Sequence, residues 1–157
     1  MEIRRYRDDD INRVVSLFYE TVHRVNARDY SQEQLNAWAS MDERESRMES
    51  WAISLKQNIT YVAELSGILM GFADMTHEGY LDRLYIHKDF QGRGIASVLV
   101  RRLEMEGERL GLSSIETDAS ITARSFFERR GYELLQAQTV KRGDVQLTNY
   151  KMKKSIR

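Results

Sequence analysis

The stretch "HKDFQGRGIASVLVRRLE", His87–Glu104, places two glycines one residue apart, directly before a pattern typical of a helix. The chain has only nine glycines, and holding any glycine in one conformation costs backbone entropy. Gly92 and Gly94 therefore indicate either unusual backbone dihedrals or the close approach of another group. Two interpretations follow, a plain helix start and a turn that binds phosphate.

Known phosphate-binding motifs narrow the second interpretation. A dinucleotide fingerprint needs a third glycine where this chain has Ser97, and a Walker-type loop needs a Lys-Ser/Thr pair that is missing before the helix. An anion cradle fits better, because glycines let successive N–H groups converge and the helix adds the positive end of its dipole. Arg93, Arg101 and Arg102 add positive charge. A helix start that merely contains glycines remains the alternative.

The surrounding pattern predicts a mixed α/β chain. Three strand-like runs, "NITYVAEL" (58–65), "GILMGFADM" (67–75) and "GYLDRLYIH" (79–87), are separated by turn signals and predict an antiparallel meander. The other predicted elements are a strand at 2–7, helices at 8–26, 29–40, 41–57, 95–110 and 122–130, a strand at 113–119, and a closing hairpin at 132–140 and 145–154. Ser31 and Gln34 stand at capping-box spacing, and Asp8 or Asp9 can cap the first helix.

Length, charge and composition exclude several classes of protein. The 157 residues suit one domain, 1–157, and the 24 acidic and 24 basic side chains cancel, so neither nucleic acid nor a membrane surface is an expected partner. The chain has no cysteine and its three histidines lie far apart, which leaves no thiol nucleophile and no metal-ligand spacing. The opening "MEIRRYRDDD" is not a signal peptide, and no apolar run approaches roughly 20 residues. We expect a cytoplasmic protein without a metal.

The stretch "LYIHKDFQGRGIASVLVRRLE" (84–104) resembles the pyrophosphate-binding motif of the GNAT superfamily, the acetyl-CoA-dependent N-acetyltransferases. Gln91, Gly94 and Ala96 meet the pattern Gln/Arg-x-x-Gly-x-Gly/Ala. The runs "GILMGFADM" and "ASITARSFFERRGYE" (119–133) resemble the family's third strand and fourth helix. Residues 58–134 match in type and spacing, whereas 1–26 fit only by pattern. The chain also resembles a bacterial subgroup of acetyltransferases whose substrates do not follow from the motif.

The resemblance implies a fold and a coenzyme site. The fold would be α/β (α+β type), with a mixed, mostly antiparallel, splayed sheet and helices on both faces. Acetyl-CoA would be the co-substrate, with its pyrophosphate on the loop and its pantetheine arm along the fourth strand, like an added strand. The implied coenzyme residues are Leu84, Tyr85, Ile86, Gln91, Gly92, Arg93, Gly94, Ile95, Ala96, Ser120, Phe126 and Phe127.

An amine attacks only when deprotonated, so such an enzyme needs a base, and its leaving thiolate needs a proton. Asp82, two residues before Leu84, is the candidate base; the alternative is an exposed carboxylate paired with Arg83. The family often uses a tyrosine of its fourth helix as the acid, but "FERRGY" has Phe127 at that position. Tyr132 is then a candidate acid.

Other groups remain open for both roles. Tyr85, Tyr80 and water are alternatives for the acid, as is unaided departure of the thiolate. His77 lies in a turn and is either solvated or a base, His87 is either structural or a contact to coenzyme phosphate, and His23 is predicted on a helix surface.

The segment "RVNARDYSQEQLNAWAS" (24–40) is where the family selects its acceptor. Asn26, Tyr30 and Trp38 combine amide and aromatic groups and are candidate ligands of a small-molecule or peptide amine. The alternative is a capped helix with Trp38 in the core. The sequence does not decide whether the chain forms a homodimer.

These features predict transfer of an acetyl group from acetyl-CoA to a primary amine by direct attack in a ternary complex. The alternative from another class is a non-catalytic acyl-CoA-binding or regulatory module, which Phe127 favours. A third interpretation is a phosphate- or nucleotide-binding protein of a different fold.

Overall fold

A single seven-stranded sheet with the strand order β1-β2-β3-β4-β5-β7-β6 organises the computed structural model, which describes residues 1–157. The strands are β1 (Glu2–Arg5), β2 (Ile59–Leu65), β3 (Ile68–Met75), β4 (Tyr80–Ile86), β5 (Ser114–Ser120), β6 (Glu133–Arg142) and β7 (Val145–Ser155). All neighbouring strands run antiparallel except β4 and β5, which run parallel. The structure contains both the predicted antiparallel meander, as β2-β3-β4, and the predicted closing hairpin, as β6-β7.

Five helices accompany the sheet. They are α1 (Ile11–Arg24), α2 (Gln32–Trp38), α3 (Arg44–Gln57), α4 (Ile95–Arg109) and α5 (Ile121–Arg129). The capping box of α2 is present, since Ser31 Oγ accepts from Gln34 N at 3.1 Å and Gln34 Oε1 accepts from Ser31 N at 2.9 Å. The predicted cap of α1 was wrong: Asp8–Asp10 form a 3-10 turn, and buried Asp10 accepts from the backbone N–H of Arg7 instead.

Helices pack on both faces of the sheet, as the family resemblance implied. One apolar core contains Leu99 and Leu103 of α4 together with Phe127 of α5. The other contains Phe18 of α1 and Leu55 of α3, among other side chains. Each face of a central strand is therefore buried, which explains the nearly continuous apolar runs in β2 and β3.

The sheet divides between β4 and β5. These two strands pair only at Tyr80–Glu116 and Leu81–Thr117, whereas β5 pairs with β7 along its whole length. Beyond Leu81 the side of β4 that faces β5 has no strand partner, so a gap opens within the sheet. This gap positions the site described below. No helix is both long enough and apolar enough to cross a membrane.

Candidate active site

A cleft of about 590 Å³ occupies the gap between β4 and β5. Its walls come from β4, the loop before α4, the first turn of α4, the end of β5 and one side of α5. The end of α1 and the side chain of Trp38 close it from the other face of the sheet. The cleft therefore lies where both the strand edge and the glycine pair can contact one ligand.

The end of β4 offers free peptide groups to the cleft. His87 N donates to Met70 O on β3 at 2.8 Å, and successive peptide groups of a strand alternate in direction, so those of Ile86 and Leu84 face the gap. The Ile86 carbonyl already accepts from Gln91 Nε2 at 2.7 Å and from Thr21 Oγ1 at 3.1 Å. The N–H groups of Leu84 and Ile86 and the Leu84 carbonyl remain for a ligand.

The glycine pair forms a bare helix N-terminus beside that edge. Gly92 and Gly94 have φ of 71° and 80°, values that side-chain-bearing residues rarely adopt. Gly94 caps α4 without any side-chain hydrogen bond, and no atom lies within 4 Å of a Cβ built on either glycine. The first N–H groups of α4 therefore face open space, where an anion is favoured by the helix dipole.

The structure brings eleven of the twelve predicted coenzyme residues to the cleft. Arg93 is the exception; its guanidinium lies over the Phe90 ring, 5.2 Å from the centroid. Ser120 also caps α5, since its Oγ accepts from Ala123 N at 3.1 Å. Phe127 is only 2% exposed and packs against Phe126 and Tyr132, so it is both a wall of the cleft and part of the core.

Asp82 lines the cleft just beyond the last residue pair that joins β4 to β5. On the other side of β4, Leu81 pairs with Met75 and Arg83 with Asp74, so Asp82 is the extra residue of a β-bulge. A bulge redirects side chains, and the Asp82 side chain is 37% exposed. Its Oδ2 lies 3.6 Å from Arg83 Nη2. Asp82 is thus accessible to a substrate while being near a cation.

Arg83 is itself held by three partners, of which Asp74 is fully buried. Its guanidinium pairs with Asp74, donates to Ser54 Oγ at 2.8 Å and lies 4.5 Å from the Trp51 ring centroid. Burial raises the pKa of fully buried Asp74 to about 6, although Arg83 and a hydrogen bond from Asn58 act in the opposite direction. This network holds the segment of β4 that carries Asp82.

The structure does not bring Tyr132, a candidate acid, to the cleft. Tyr132 is 3% exposed, and its hydroxyl donates to buried Glu104 at 3.0 Å. Burial and the Glu104 carboxylate raise the pKa of Tyr132 strongly. Tyr80 donates to Asp118 at 2.7 Å. Tyr85 lines the cleft, but burial raises its pKa above the ordinary value.

Two of the three predicted acceptor residues line the cleft. Asn26, 5% exposed, donates to Thr122 Oγ1 at 3.1 Å, and Trp38 packs near Tyr85. Tyr30 is not part of the cleft wall, because its hydroxyl donates to Thr148 O at 2.7 Å and accepts from Ile121 N at 2.9 Å. Tyr30 instead connects the segment before α2 to β7 and α5.

None of the three histidines lines the cleft. His23 is partly exposed on α1, as predicted for a helix surface, and its Nε2 lies 2.8 Å from Ala39 O, which connects α1 to the end of α2. His77 Nε2 lies 3.1 Å from Gln57 O. His87 Nδ1 accepts from Asp89 N at 3.0 Å and thereby shapes the turn before the glycine pair.

Sequence reasoning missed Asp118 and Thr21, which also line the cleft. Asp118 follows the Leu81–Thr117 pair on β5, as Asp82 follows it on β4. Only the register between these two strands reveals this symmetry. Thr21 has no distinctive motif, and its contact with Ile86 spans 65 residues of sequence.

Comparisons with known proteins agree with this geometry. Residues 26–154 match the family model described as an acetyltransferase (GNAT) domain. The uncharacterized N-acetyltransferase YafP of Escherichia coli K12 is 33% identical over 153 residues, which cover 98% of this chain and 95% of that protein.

Solved structures give the same result. A GCN5-related N-acetyltransferase from Rhodopseudomonas palustris superposes with a TM-score of 0.90 at 33% identity, covering 98% of this chain and 94% of that one. The PaiA N-acetyltransferase from Thermoplasma acidophilum, solved with coenzyme A, has the same fold at a TM-score of 0.77 and 18% identity, covering 98% of each chain. The chain belongs to the GNAT family of N-acetyltransferases.

Proposed function

We propose that this protein transfers an acetyl group from acetyl-CoA to a primary amine by direct attack in a ternary complex. The observation that carries the proposal is the continuity between the free edge of β4 and the bare N-terminus of α4. A long ligand with a pyrophosphate at one end and amide groups along its arm fits that arrangement. The coenzyme A complex of the Thermoplasma protein supports this choice of ligand.

The residues of the cleft suit the separate parts of such a coenzyme. The N–H groups of Leu84 and Ile86 and the Leu84 carbonyl would bind the amides of the arm. The N–H groups from Gln91 to Ala96 would bind the pyrophosphate. Phe126 and Phe127 offer apolar surface to the arm. Bound acetyl-CoA would supply an acetyl group activated as a thioester.

Asp82 is the proposed base. It would accept one proton from the acceptor ammonium, directly or through water, and leave a neutral amine with a free electron pair. A nitrogen–carbon bond then forms as the carbon–sulfur bond breaks. The nitrogen loses its second proton to water and the departing thiolate takes a proton from water, so that a neutral amide and the free thiol of CoA result. N–H groups of β4 would stabilise negative charge on the carbonyl oxygen during attack. Asn26 and Trp38 would orient the acceptor.

A non-catalytic acyl-CoA-binding module is the second candidate. The observation in its favour is the lack of a tyrosine acid. Phe127 occupies the position where the family often has that tyrosine, and the Tyr132 hydroxyl donates to Glu104. The two candidates share the coenzyme site and differ only in turnover. Binding of acetyl-CoA without release of CoA in the presence of any amine would favour the module.

Calorimetric titration with acetyl-CoA and CoA, with ATP and NAD as controls, tests the coenzyme site first. We expect the two coenzyme forms to bind in the micromolar range and the controls not to bind. A panel of amines, amino acids and peptides, with thiol release as the readout, then tests catalysis. Absence of coenzyme binding would overturn both candidates, and displacement of CoA by ATP would favour a nucleotide-binding protein.

A further inference from the structure

A second carboxylate, that of Asp118 on β5, lines the cleft across from Asp82 on β4. Each aspartate directly follows the Leu81–Thr117 pair, the last one that joins the two strands. Paired strands are about 4.8 Å apart, so the two carboxylates stand on opposite sides of the narrow end of the cleft. The function proposed above uses only Asp82, which leaves Asp118 without a role.

Asp118 and Asp82 lie on the same face of the sheet. Ala119 of β5 belongs to the core with α4 and α5, so its neighbour Asp118 projects from the other face, where α1 and α3 pack. Asp82 is on that face as well, since the Arg83 guanidinium beside it contacts Trp51 on α3. The anion site at the start of α4 lies on the opposite face. Asp118 is therefore placed to contact the acceptor, not the coenzyme phosphates.

Two neutral donors orient the Asp118 carboxylate. The Tyr80 hydroxyl donates to Oδ2 at 2.7 Å, and Gln138 Nε2 donates to Oδ1 at 2.9 Å. Burial and the Asp118 carboxylate raise the pKa of Tyr80, so its hydroxyl remains a donor. Lys151 stands opposite Asp118 in the register of β5 and β7, but no basic side chain forms an ion pair with Asp118. The carboxylate is therefore fixed in direction while its charge stays available to a ligand.

The same side of the cleft offers further groups that suit a cation. Asn26 is 5% exposed and lines the cleft; its Nδ2 is already used in a hydrogen bond, whereas its Oδ1 has no partner. Such a buried oxygen needs a donor. Trp38 adds aromatic surface, which attracts cations. Of the two basic residues in the wall, Arg129 belongs to α5 on the other face, and Arg28 is mostly exposed beside Asp29.

We propose that the acceptor is a diamine or polyamine, and that Asp118 binds its second ammonium group while the first is acetylated. This inference rests on the proposed function and names its substrate class. Asp82 takes a proton from the ammonium that reacts, whereas the second ammonium keeps its protons and donates to Asp118 and Asn26 Oδ1. Two carboxylates at one end of a cleft repel each other, and a ligand with two positive charges removes that repulsion.

Thiol-release kinetics with matched amines test this assignment. Diaminobutane and aminobutanol have the same length, and aminobutanol replaces the second ammonium by a neutral hydroxyl. We expect kcat/KM to be at least tenfold higher for diaminobutane, with the difference mainly in KM. Asp118→Asn should reduce this preference about tenfold, because it removes the charge that only the diamine uses. Glu116→Gln, the same change of charge on the same face of β5 but outside the cleft wall, is the matched control and should keep the preference.

Calorimetric titration of the CoA-saturated protein tests the same site without turnover. We expect diaminobutane to bind at least ten times more tightly than aminobutanol, and Asp118→Asn to raise the Kd of diaminobutane about tenfold. This binding without thiol release from any amine would contradict the transferase and support the diamine site. Circular dichroism shows whether the Asp118 variant is folded, and the comparison of the two amines in the unmodified protein does not depend on that variant.

Three outcomes would overturn the diamine site and leave the transferase intact. The first is equal kcat/KM and equal Kd for the two amines in the unmodified protein. The second is a folded Asp118→Asn variant that keeps the full preference for diaminobutane. The third is an equal loss of preference in Glu116→Gln, which would show that the general charge of β5 acts and not a contact with Asp118.

Discussion

At the scale of single residues, burial gives two nearby aspartates different roles. Asp82 projects from a bulge into the cleft, whereas Asp74 on the adjacent strand is fully buried beside Arg83. We predict that Asp82→Asn lowers kcat about a hundredfold, the usual order for loss of a general base. Calorimetry should show unchanged acetyl-CoA affinity, because the proposed contacts to the coenzyme do not include the Asp82 side chain.

The pH–rate profile separates a base from a binding group. Thiol-release rates of the Asp82→Asn variant should lose the decline on the acid side that protonation of the base produces. The matched control is Asp118→Asn, which alters the other carboxylate at the same level of the cleft and should keep that acid-side decline. An unaltered profile in Asp82→Asn would exclude Asp82 as the base.

Asp74 should make stability depend on pH. Its pKa is raised to about 6 in the folded protein, against about 3.9 in an unfolded chain. The folded state therefore holds the proton more tightly, so this contribution is complete below about pH 4 and is lost as pH rises through about 6. The contribution of Asp74 to the free energy of unfolding should fall by an amount on the order of 2–3 kcal/mol over that interval, against the opposite contributions of Asp10, Glu64 and Glu106, whose pKa values are lowered.

Urea unfolding at a series of pH values measures this slope. Asp74→Asn cannot titrate, so its free energy of unfolding should lack this downward contribution between pH 4 and 6 and should change in a more positive direction than that of the unmodified protein, whatever its absolute stability. Glu33→Gln, which changes an exposed carboxylate on α2, should keep the slope of the unmodified protein. Equal slopes in the Asp74 variant and the unmodified protein would contradict the raised pKa.

At the scale of elements, the loop before α4 combines an unusual backbone with an open N-terminus. We predict that Gly94→Glu raises the dissociation constant for CoA at least tenfold, since a carboxylate would occupy and repel at the anion site. The substitution also forces a residue with a side chain into a backbone conformation of positive φ. Gly143→Glu in the β6–β7 turn has the same backbone cost, because Gly143 also has a positive φ, and is therefore the matched control. Calorimetry should therefore find normal CoA affinity in Gly143→Glu. Equal CoA affinities in the two variants would show that the pyrophosphate binds outside this loop.

Local sequence signals predicted most elements but only part of the site. The capping box at Ser31 and Gln34 and the glycine pair could be identified because their hydrogen bonds and dihedrals involve neighbours in sequence. The bulge at Asp82 could not, because it depends on the register of β4 against β3. Tyr30 was predicted to bind the acceptor and Tyr132 to act as the acid. Each hydroxyl instead has a hydrogen-bond partner far along the chain, at Thr148 and Glu104 respectively.

At the scale of the whole molecule, the sheet has two parts that are joined weakly at β4 and β5. Only two residue pairs connect those strands, while apolar cores cover both faces of the sheet. A coenzyme arm between the two strands would supply hydrogen bonds that the sheet lacks there. Binding should therefore stabilise the entire fold and not merely order a loop.

This coupling predicts a specific pattern of stabilisation. CoA at a hundred times its dissociation constant should stabilise the fold by about 2.7 kcal/mol and raise Tm by roughly 5–10 °C for a chain of this size. Hydrogen exchange should slow at the N–H groups of Leu84 and Ile86 and from Gln91 to Ala96, with no change in the turn at 142–144. ATP at the same concentration should leave both measurements unaltered. Protection that falls elsewhere, with the same rise in Tm, would show that CoA binds outside the gap between β4 and β5.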